Sequence, residues 1–275
     1  MDDATFIPGA RRATAQVGDL RIAFWEAGAG VPLLLLHGIG SAGESFAPQL
    51  AGLAGRFRVI AWDAPGYGGS DDHPTSKPLP RDYADVAAGL LDALGVARAH
   101  VLGHSLGGLM AGALACRHAG RVDRLILASV AAGYRLGPAD PYPPALQGRL
   151  DDFAALGAAG VAEKRVARLC APDARPEAVA AVRRVMAKLR MPGYAQAVAL
   201  LGQGDLIADA PAIAAPTLVV CGDADVVTPP ERCRAVAGAI AGARYRSLGP
   251  VGHGCYVEDP AGFNAAVADF LEAAR

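Results

Sequence analysis

The stretch Gly103-His104-Ser105-Leu106-Gly107-Gly108 sets a serine between glycines two residues away on either side, behind an apolar run and ahead of a segment of helical period. A serine at a sharp strand-to-helix turn adopts strained backbone angles that push its hydroxyl out over a sheet, and a β-carbon at either glycine would collide with the turn. An ordinary helix-capping serine in a glycine-rich turn is the alternative. At the abundance of glycine and serine in this chain, roughly 0.1 accidental occurrences of the pattern are expected. A serine hydroxyl is a poor nucleophile until a base removes its proton and a carboxylate orients that base. The elbow therefore asks for a histidine and an acid further along the chain.

His253, in Gly252-His253-Gly254, is the later histidine that falls on a loop. His118 falls near the end of the helix that Ser105 starts and suits a helix-end cap. His104 adjoins the serine, so its side chain is expected to point elsewhere, as a wall residue. His37 and His73 on loops, and His100 ahead of a strand, read as hydrogen-bonded structural residues with no metal spacing. Two candidates for the acid, Asp223 and Asp225, follow one strand. Asp225 is preferred: Asp223, directly after Gly222, suits shaping the turn, whereas Asp225, before Val226-Val227-Thr228-Pro229, can lean toward the histidine loop. The order Ser105, Asp225, His253 is the one that an elbow on such a sheet requires. Backbone N–H groups of Leu106 and of Ile39, within His37-Gly38-Ile39-Gly40, are the expected oxyanion donors. Such a set performs acyl transfer from an ester or lactone carbonyl to water with no cofactor and no metal. Its rate should fall on the acid side as His253 is protonated.

The elements that must position these groups are legible as alternating runs. Ala13 to Val17 and Leu20 to Glu26, joined by Gly18-Asp19, predict an antiparallel edge. Leu33 to Leu36 is a continuous apolar run, as in a strand buried on both faces. Further strands are expected at Arg58 to Trp62, Ala99 to Gly103, Arg124 to Ser129, Thr217 to Gly222 and Ala243 to Leu248. Helices are expected at Ser45 to Leu53, Tyr83 to Leu94, Leu106 to His118, Pro230 to Ala241 and Pro260 to Ala274. The pattern predicts an α/β fold, a doubly wound, mostly parallel sheet of eight strands. More than 80 residues without a convincing strand separate Val130 from Thr217, too long for a structureless loop, and predict an inserted helical cap. The expected division is a core over 1–133 and 209–275, with a cap over 134–208. Tyr134, Tyr142, Met186, Met191 and Tyr194 are candidates to line a largely apolar pocket beneath it, or to pack cap on core.

The chain has 275 residues, 52% hydrophobic and 19% charged, with 26 basic against 27 acidic side chains. That is enough for one large core, and a net charge of -1 offers no field for nucleic acid or an anionic membrane. Cys116, Cys170, Cys221, Cys233 and Cys255 are scattered singly, as reduced thiols in a cytoplasmic protein would be. Met1-Asp2-Asp3 does not open a secretion signal, and the apolar runs are strand-sized. The expected partner is a small-molecule ester or lactone; self-association is left open.

These residues resemble the α/β-hydrolase family with a helical cap, over nearly the whole chain. Besides the elbow, Trp62-Asp63-Ala64-Pro65-Gly66-Tyr67-Gly68-Gly69-Ser70-Asp71 resembles the family's Asp-x-Pro-Gly-x-Gly-x-Ser segment. Gly222-Asp223-Ala224-Asp225 resembles its acid loop, and Gly252-His253-Gly254, with Glu258 and Pro260, its histidine loop. The resemblance implies Ser105, Asp225 and His253 as the triad and a structural role for Asp63. Ser105 departs from the aspartate of haloalkane dehalogenases and epoxide hydrolases, and His104 from the asparagine of carbon–carbon hydrolases of meta-cleavage products. Gly193-Tyr194-Ala195 to Asp205, and Ala215 to Val220, are similar to 3-oxoadipate enol-lactonase-like esterases. Carbon–carbon hydrolysis, cofactor-free peroxide chemistry and a non-catalytic small-molecule receptor are the other activities that this resemblance allows.

Overall fold

The computed structural model describes residues 7–273. Eight strands form one sheet: β1 (Arg11–Val17), β2 (Leu20–Ala27), β3 (Val31–Leu36), β4 (Phe57–Trp62), β5 (Ala99–His104), β6 (Val122–Ala128), β7 (Thr217–Cys221) and β8 (Arg244–Ser247). Across the sheet they run β1-β2-β4-β3-β5-β6-β7-β8. The β1–β2 and β2–β4 pairs are antiparallel, and every pair from β4 to β8 is parallel. His100 lies inside β5 rather than ahead of it.

The run of leucines in β3 is continuous because both faces of the sheet are covered. Leu33 and Leu35 join Val59 and Ala61 in a core beneath α1 (Ala47–Leu53) and the last long helix, Pro260–Glu272. Leu34 and Leu36 join Ile60 and Trp62 on the other face, beneath α2 (Pro80–Ala93) and α3 (Leu106–Arg117). The helix expected over Ser45 to Leu53 is two elements, a 3-10 turn (Gly43–Phe46) and α1, because Pro48 in the first turn has no N–H to carry the bonding through. Asp63, after β4, is buried. Its carboxylate accepts the N–H groups of Gly43 (2.9 Å) and Gly69 (3.0 Å), which fixes the loops flanking the β4 exit.

Between β6 and β7 the chain forms α4 (Pro144–Leu169), α5 (Pro176–Met186), α6 (Gly193–Gln203) and the short α7 (Leu206–Asp209). Helix α4 bends sharply at Gly157, whose φ of 64° suits glycine. Asp152 before the bend pairs with Lys164 (2.6 Å) and Arg165 (2.8 Å) after it, so the two arms are clasped together. Beyond β7 come α8 (Pro230–Ala239), α9 (Cys255–Glu258) and α10 (Pro260–Glu272). Helix α8 stops two residues earlier than expected, since Ile240 is extended and Gly242, at φ 70°, turns the chain into β8. The expected final residue of α10, Ala274, and the Met1–Asp3 start lie outside the described residues. No helix among the described residues is long and apolar enough to cross a membrane.

Helix α3 enters against the end of β3. A β-carbon on Gly107 would overlap the carbonyl oxygens of Leu36 and His37, both backbone atoms that cannot swing away, whereas one on Gly238 in α8 would meet open space. Gly107→Ala is expected to destabilise the protein by about 3 kcal/mol or more. Gly238→Ala should instead stabilise it by up to about 1 kcal/mol. Urea unfolding of the two variants checks both signs.

Candidate active site

Ser105 separates β5 from α3 with φ 53° and ψ −115°, a left-handed conformation that a non-glycine residue holds only when its surroundings enforce it. Its N–H donates to the Ala128 carbonyl (2.9 Å), and its carbonyl accepts from Gly108 (3.0 Å) and Ala131 (3.1 Å). A β-carbon on Gly103 would run into the Gly107 carbonyl, so both glycines of the elbow are sterically required.

The loop after β3 lies directly on this turn: a β-carbon on Gly38 would stand 3.1 Å from that of Ser105. Three contacts hold the loop. His37 Nδ1–H donates to the Gly38 carbonyl (2.9 Å), His37 Nε2 accepts from the Ala64 N–H (3.0 Å), and the Tyr67 hydroxyl donates to the Ile39 carbonyl (2.9 Å). Burial pushes the His37 pKa down from 6.5, which keeps the ring neutral and this pattern intact. Ile39 therefore follows a pinned glycine beside Ser105, and Leu106 opens α3 immediately after it.

Across the sheet edge, Asp225 Oδ2 lies 2.9 Å from His253 Nδ1. Its Oδ1 accepts the N–H groups of Val227 (2.8 Å) and Thr228 (2.9 Å). Burial alone would raise the Asp225 pKa, but His253 and the donors from Thr228 hold it well below its ordinary 3.8. Asp223 turns away, accepting from the exposed Ser247 hydroxyl (2.7 Å). The two loops are stitched together: Asp223 N–H donates to Gly249 (2.8 Å) and Ala224 N–H to Val251 (3.1 Å). The structure thus brings Asp225 and His253 into hydrogen-bond contact and sets His253 and Ser105 on the wall of one cavity.

Thr228 and the contact made by His104 escape a reading of the sequence alone, and Glu258 is named there without its partners. Thr228 Oγ1 lies 2.8 Å from Asp225 Oδ2, 3.1 Å from His253 Nδ1 and 2.8 Å from the Ser129 carbonyl. The available signal is the Asp-x-x-Thr spacing, in which the acid caps its own turn. Glu258 receives the Gly252 N–H (3.1 Å) and the Ala171 N–H (2.8 Å), tying the histidine loop to the chain leaving α4. His104 corrects the expectation that its side chain points elsewhere: Nε2–H donates to the His253 carbonyl (2.9 Å), and the two rings stand 4.9 Å apart. Strand alternation turns residue 104 toward the histidine loop because β5 is hydrogen-bonded through residue 104 itself.

The cavity above Ser105 has a volume of about 800 Å³ and lies between the sheet edge and α4–α6. Tyr134, Met186 and Tyr194 line it; Tyr142 and Met191 are not among its lining residues. The wall is more charged than the sequence suggested, with Arg149, Lys164, Arg165 and Arg168 of α4 joined by Arg184 and Arg232.

Burial, then the nearby His253, press the His104 pKa down from 6.5 to about 3. In the unfolded chain the ring regains its ordinary pKa, so as pH falls from about 6.5 toward 3 the unfolded state binds the proton and stability declines. His104→Gln is expected to flatten the stability–pH curve between about pH 6 and 4 by up to about 1.4 kcal/mol per pH unit. Urea midpoints across that range read the slope, and an unchanged slope would contradict the neutral buried ring.

Residues 31–260 match the family described as alpha/beta hydrolase fold. The chain is 32% identical over 267 residues to the 2-hydroxymuconate semialdehyde hydrolase of Pseudomonas sp. strain CF600, covering 92% of this chain and 90% of that protein. It is 32% identical over 251 residues to the pimeloyl-acyl-carrier-protein methyl ester esterase of Chromobacterium violaceum, covering 89% and 96%. Among solved structures it is similar to the enol-lactonase from Burkholderia xenovorans LB400, at 30% identity and a TM-score of 0.86 over 95% of this chain and 100% of that one. With that match spanning most of its length, on a sheet of this order and with an elbow of this geometry, the chain belongs to the α/β-hydrolase family and is a hydrolase.

Proposed function

We propose that the protein is a serine hydrolase that cleaves a carboxylic ester or lactone through a covalent acyl-enzyme. The observation that carries this reading is the 2.9 Å contact of Asp225 with His253 Nδ1, with His253 and a left-handed Ser105 facing one cavity. Because Nδ1–H is engaged by the carboxylate, Nε2 is the lone pair left to act as base. Ser105 Oγ attacks the substrate carbonyl carbon, its proton passes to His253 Nε2, and the carbonyl π pair becomes an oxyanion. The N–H groups of Ile39 and Leu106 receive that charge, and the N-terminus of α3 adds a favourable field. Collapse expels the alcohol oxygen, which takes the proton back from His253. Water then repeats the sequence on the acyl-enzyme, regenerating Ser105 and releasing the acid. Asp225 fixes the tautomer and stabilises the imidazolium, and Thr228 fixes Asp225. Residues 134–208 act as a cap over the core formed by the described residues before and after them, limiting water at the reacting carbonyl.

Ser105→Ala is expected to lower kcat on 4-nitrophenyl esters by at least about 10³-fold with circular dichroism and melting unchanged. A fluorophosphonate should label the wild-type peptide carrying Ser105 and leave the variant unmodified. Asp225→Asn, which leaves the imidazole without its anionic partner, should cost on the order of 10⁴ in kcat. Wild-type-like turnover by Ser105→Ala would refute the assignment.

A further inference from the structure

The wall of the cavity that Ser105 lines carries a charge that the proposed reaction does not use. Arg149, on the first arm of α4, is half-buried and lines the cavity, with Nη1 3.4 Å from the hydroxyl of the buried Tyr194. Its neighbour one turn along, Asp152, is committed to Lys164 (2.6 Å) and Arg165 (2.8 Å) across the bend. The other carboxylate on the wall, Glu44, is paired with Lys188 at 2.8 Å. Among the described residues Arg149 has no ion pair. A half-buried guanidinium without an anion is open to one, and its planar fork fits a carboxylate through two parallel hydrogen bonds.

Its position relates it to the chemistry. Burial raises the Tyr67 phenol well above its ordinary pKa of 10.0, and the charge of Arg149 is near enough to offset part of that rise. The same Tyr67 hydroxyl holds the Ile39 carbonyl (2.9 Å), and Gly38 of that loop packs on Ser105. A substrate whose carbonyl sits at Ser105 therefore occupies the same cavity that Tyr194 and Arg149 line. On the same wall, the exposed Arg168, Arg184 and Arg232 continue the same sign of charge, on a chain whose net charge is -1. A cleft lined by one sign draws in the opposite sign faster than the net charge would suggest.

We propose that Arg149 is a specificity-determining residue that binds a free carboxylate on the acyl portion of the substrate, so that the preferred substrates are hemiesters or lactones derived from dicarboxylic acids. This rests on the serine-hydrolase reading above for the bond that is cleaved, but the anion site stands on its own geometry. The 4-nitrophenyl hemiesters of glutaric and adipic acid, compared with 4-nitrophenyl esters of neutral acids of equal chain length, give a ratio of kcat/KM values. Wild type should favour the hemiesters by about 10-fold or more. Arg149→Gln should lower the ratio about 10-fold, to near one, mainly through KM, and Arg149→Glu should lower it further. The preference should shrink with added salt. Calorimetry with glutarate, which has no bond to cleave, gives a readout independent of turnover: binding to wild type that Arg149→Gln abolishes supports the site. Glutarate binding that depends on Arg149, without hydrolysis of any ester, would keep the anion site and overturn the catalytic reading. Ester hydrolysis with a ratio near one in wild type and Arg149→Gln alike would overturn the anion site and leave catalysis standing.

Discussion

The approach of Gly107 to the carbonyl of Leu36 is the constraint on which the arrangement of the site depends. Only a residue without a β-carbon lets the N-terminus of α3 come this close to the end of β3. That closeness lays the Gly38–Ile39 loop on the elbow and leaves Ser105 no route from strand to helix except through a left-handed conformation. Such a conformation costs on the order of 1–3 kcal/mol. Here it is over-determined by hydrogen bonds to Ala128, Gly108 and Ala131, so the position of the hydroxyl follows from backbone packing and not from side-chain choice.

The second requirement is to keep a carboxylate ionised out of water. Asp225 is 2% exposed, and an unsatisfied charge there would be severely destabilising. Both oxygens are answered, Oδ1 by two backbone N–H groups and Oδ2 by His253, with the Thr228 hydroxyl alongside. The turn that supplies the donors is made by the acid itself. This is why the strand-ending Asp-Ala-Asp can divide its labour: Asp223 braces the outer edge through Ser247, and Asp225 faces inward.

What was legible in the sequence was what a backbone constraint or a two-faced burial imposes on residue type. The elbow glycines, the run Leu33 to Leu36 and the order of strands and helices belong to that class, and their limits shift by only a few residues. The nearness of Asp225 and His253 could be anticipated because both loops must leave neighbouring parallel strands at the same end. Other features depend on angles that composition does not encode. The bend at Gly157 has no steric crowding to demand a glycine, only its φ, and so it reads as an ordinary helical residue. The cationic wall is invisible for the same reason. Arg149 and the trio Lys164, Arg165 and Arg168 are far apart along α4, and only the fold-back brings them around one cavity.

Helix α4 and the histidine loop are nevertheless tied together. Gly254 N–H donates to the Leu169 carbonyl at the end of α4 (2.6 Å), and the Glu258 carboxylate bridges Ala171 and Gly252. Any movement of the second arm of α4 therefore pulls on the residues flanking His253, whereas the first arm, which carries Arg149, is joined to the second through Gly157 and the Asp152 clasp. The bend separates two sets of contacts within one helix: the arm after it is tied to the loop that carries His253, and the arm before it carries Arg149 on the cavity wall. For the proposed reaction, a substitution in the second arm consequently disturbs the histidine loop as well as the cavity wall. A substitution at Arg149 in the first arm leaves the contacts of the second arm with that loop in place as long as the clasp is intact.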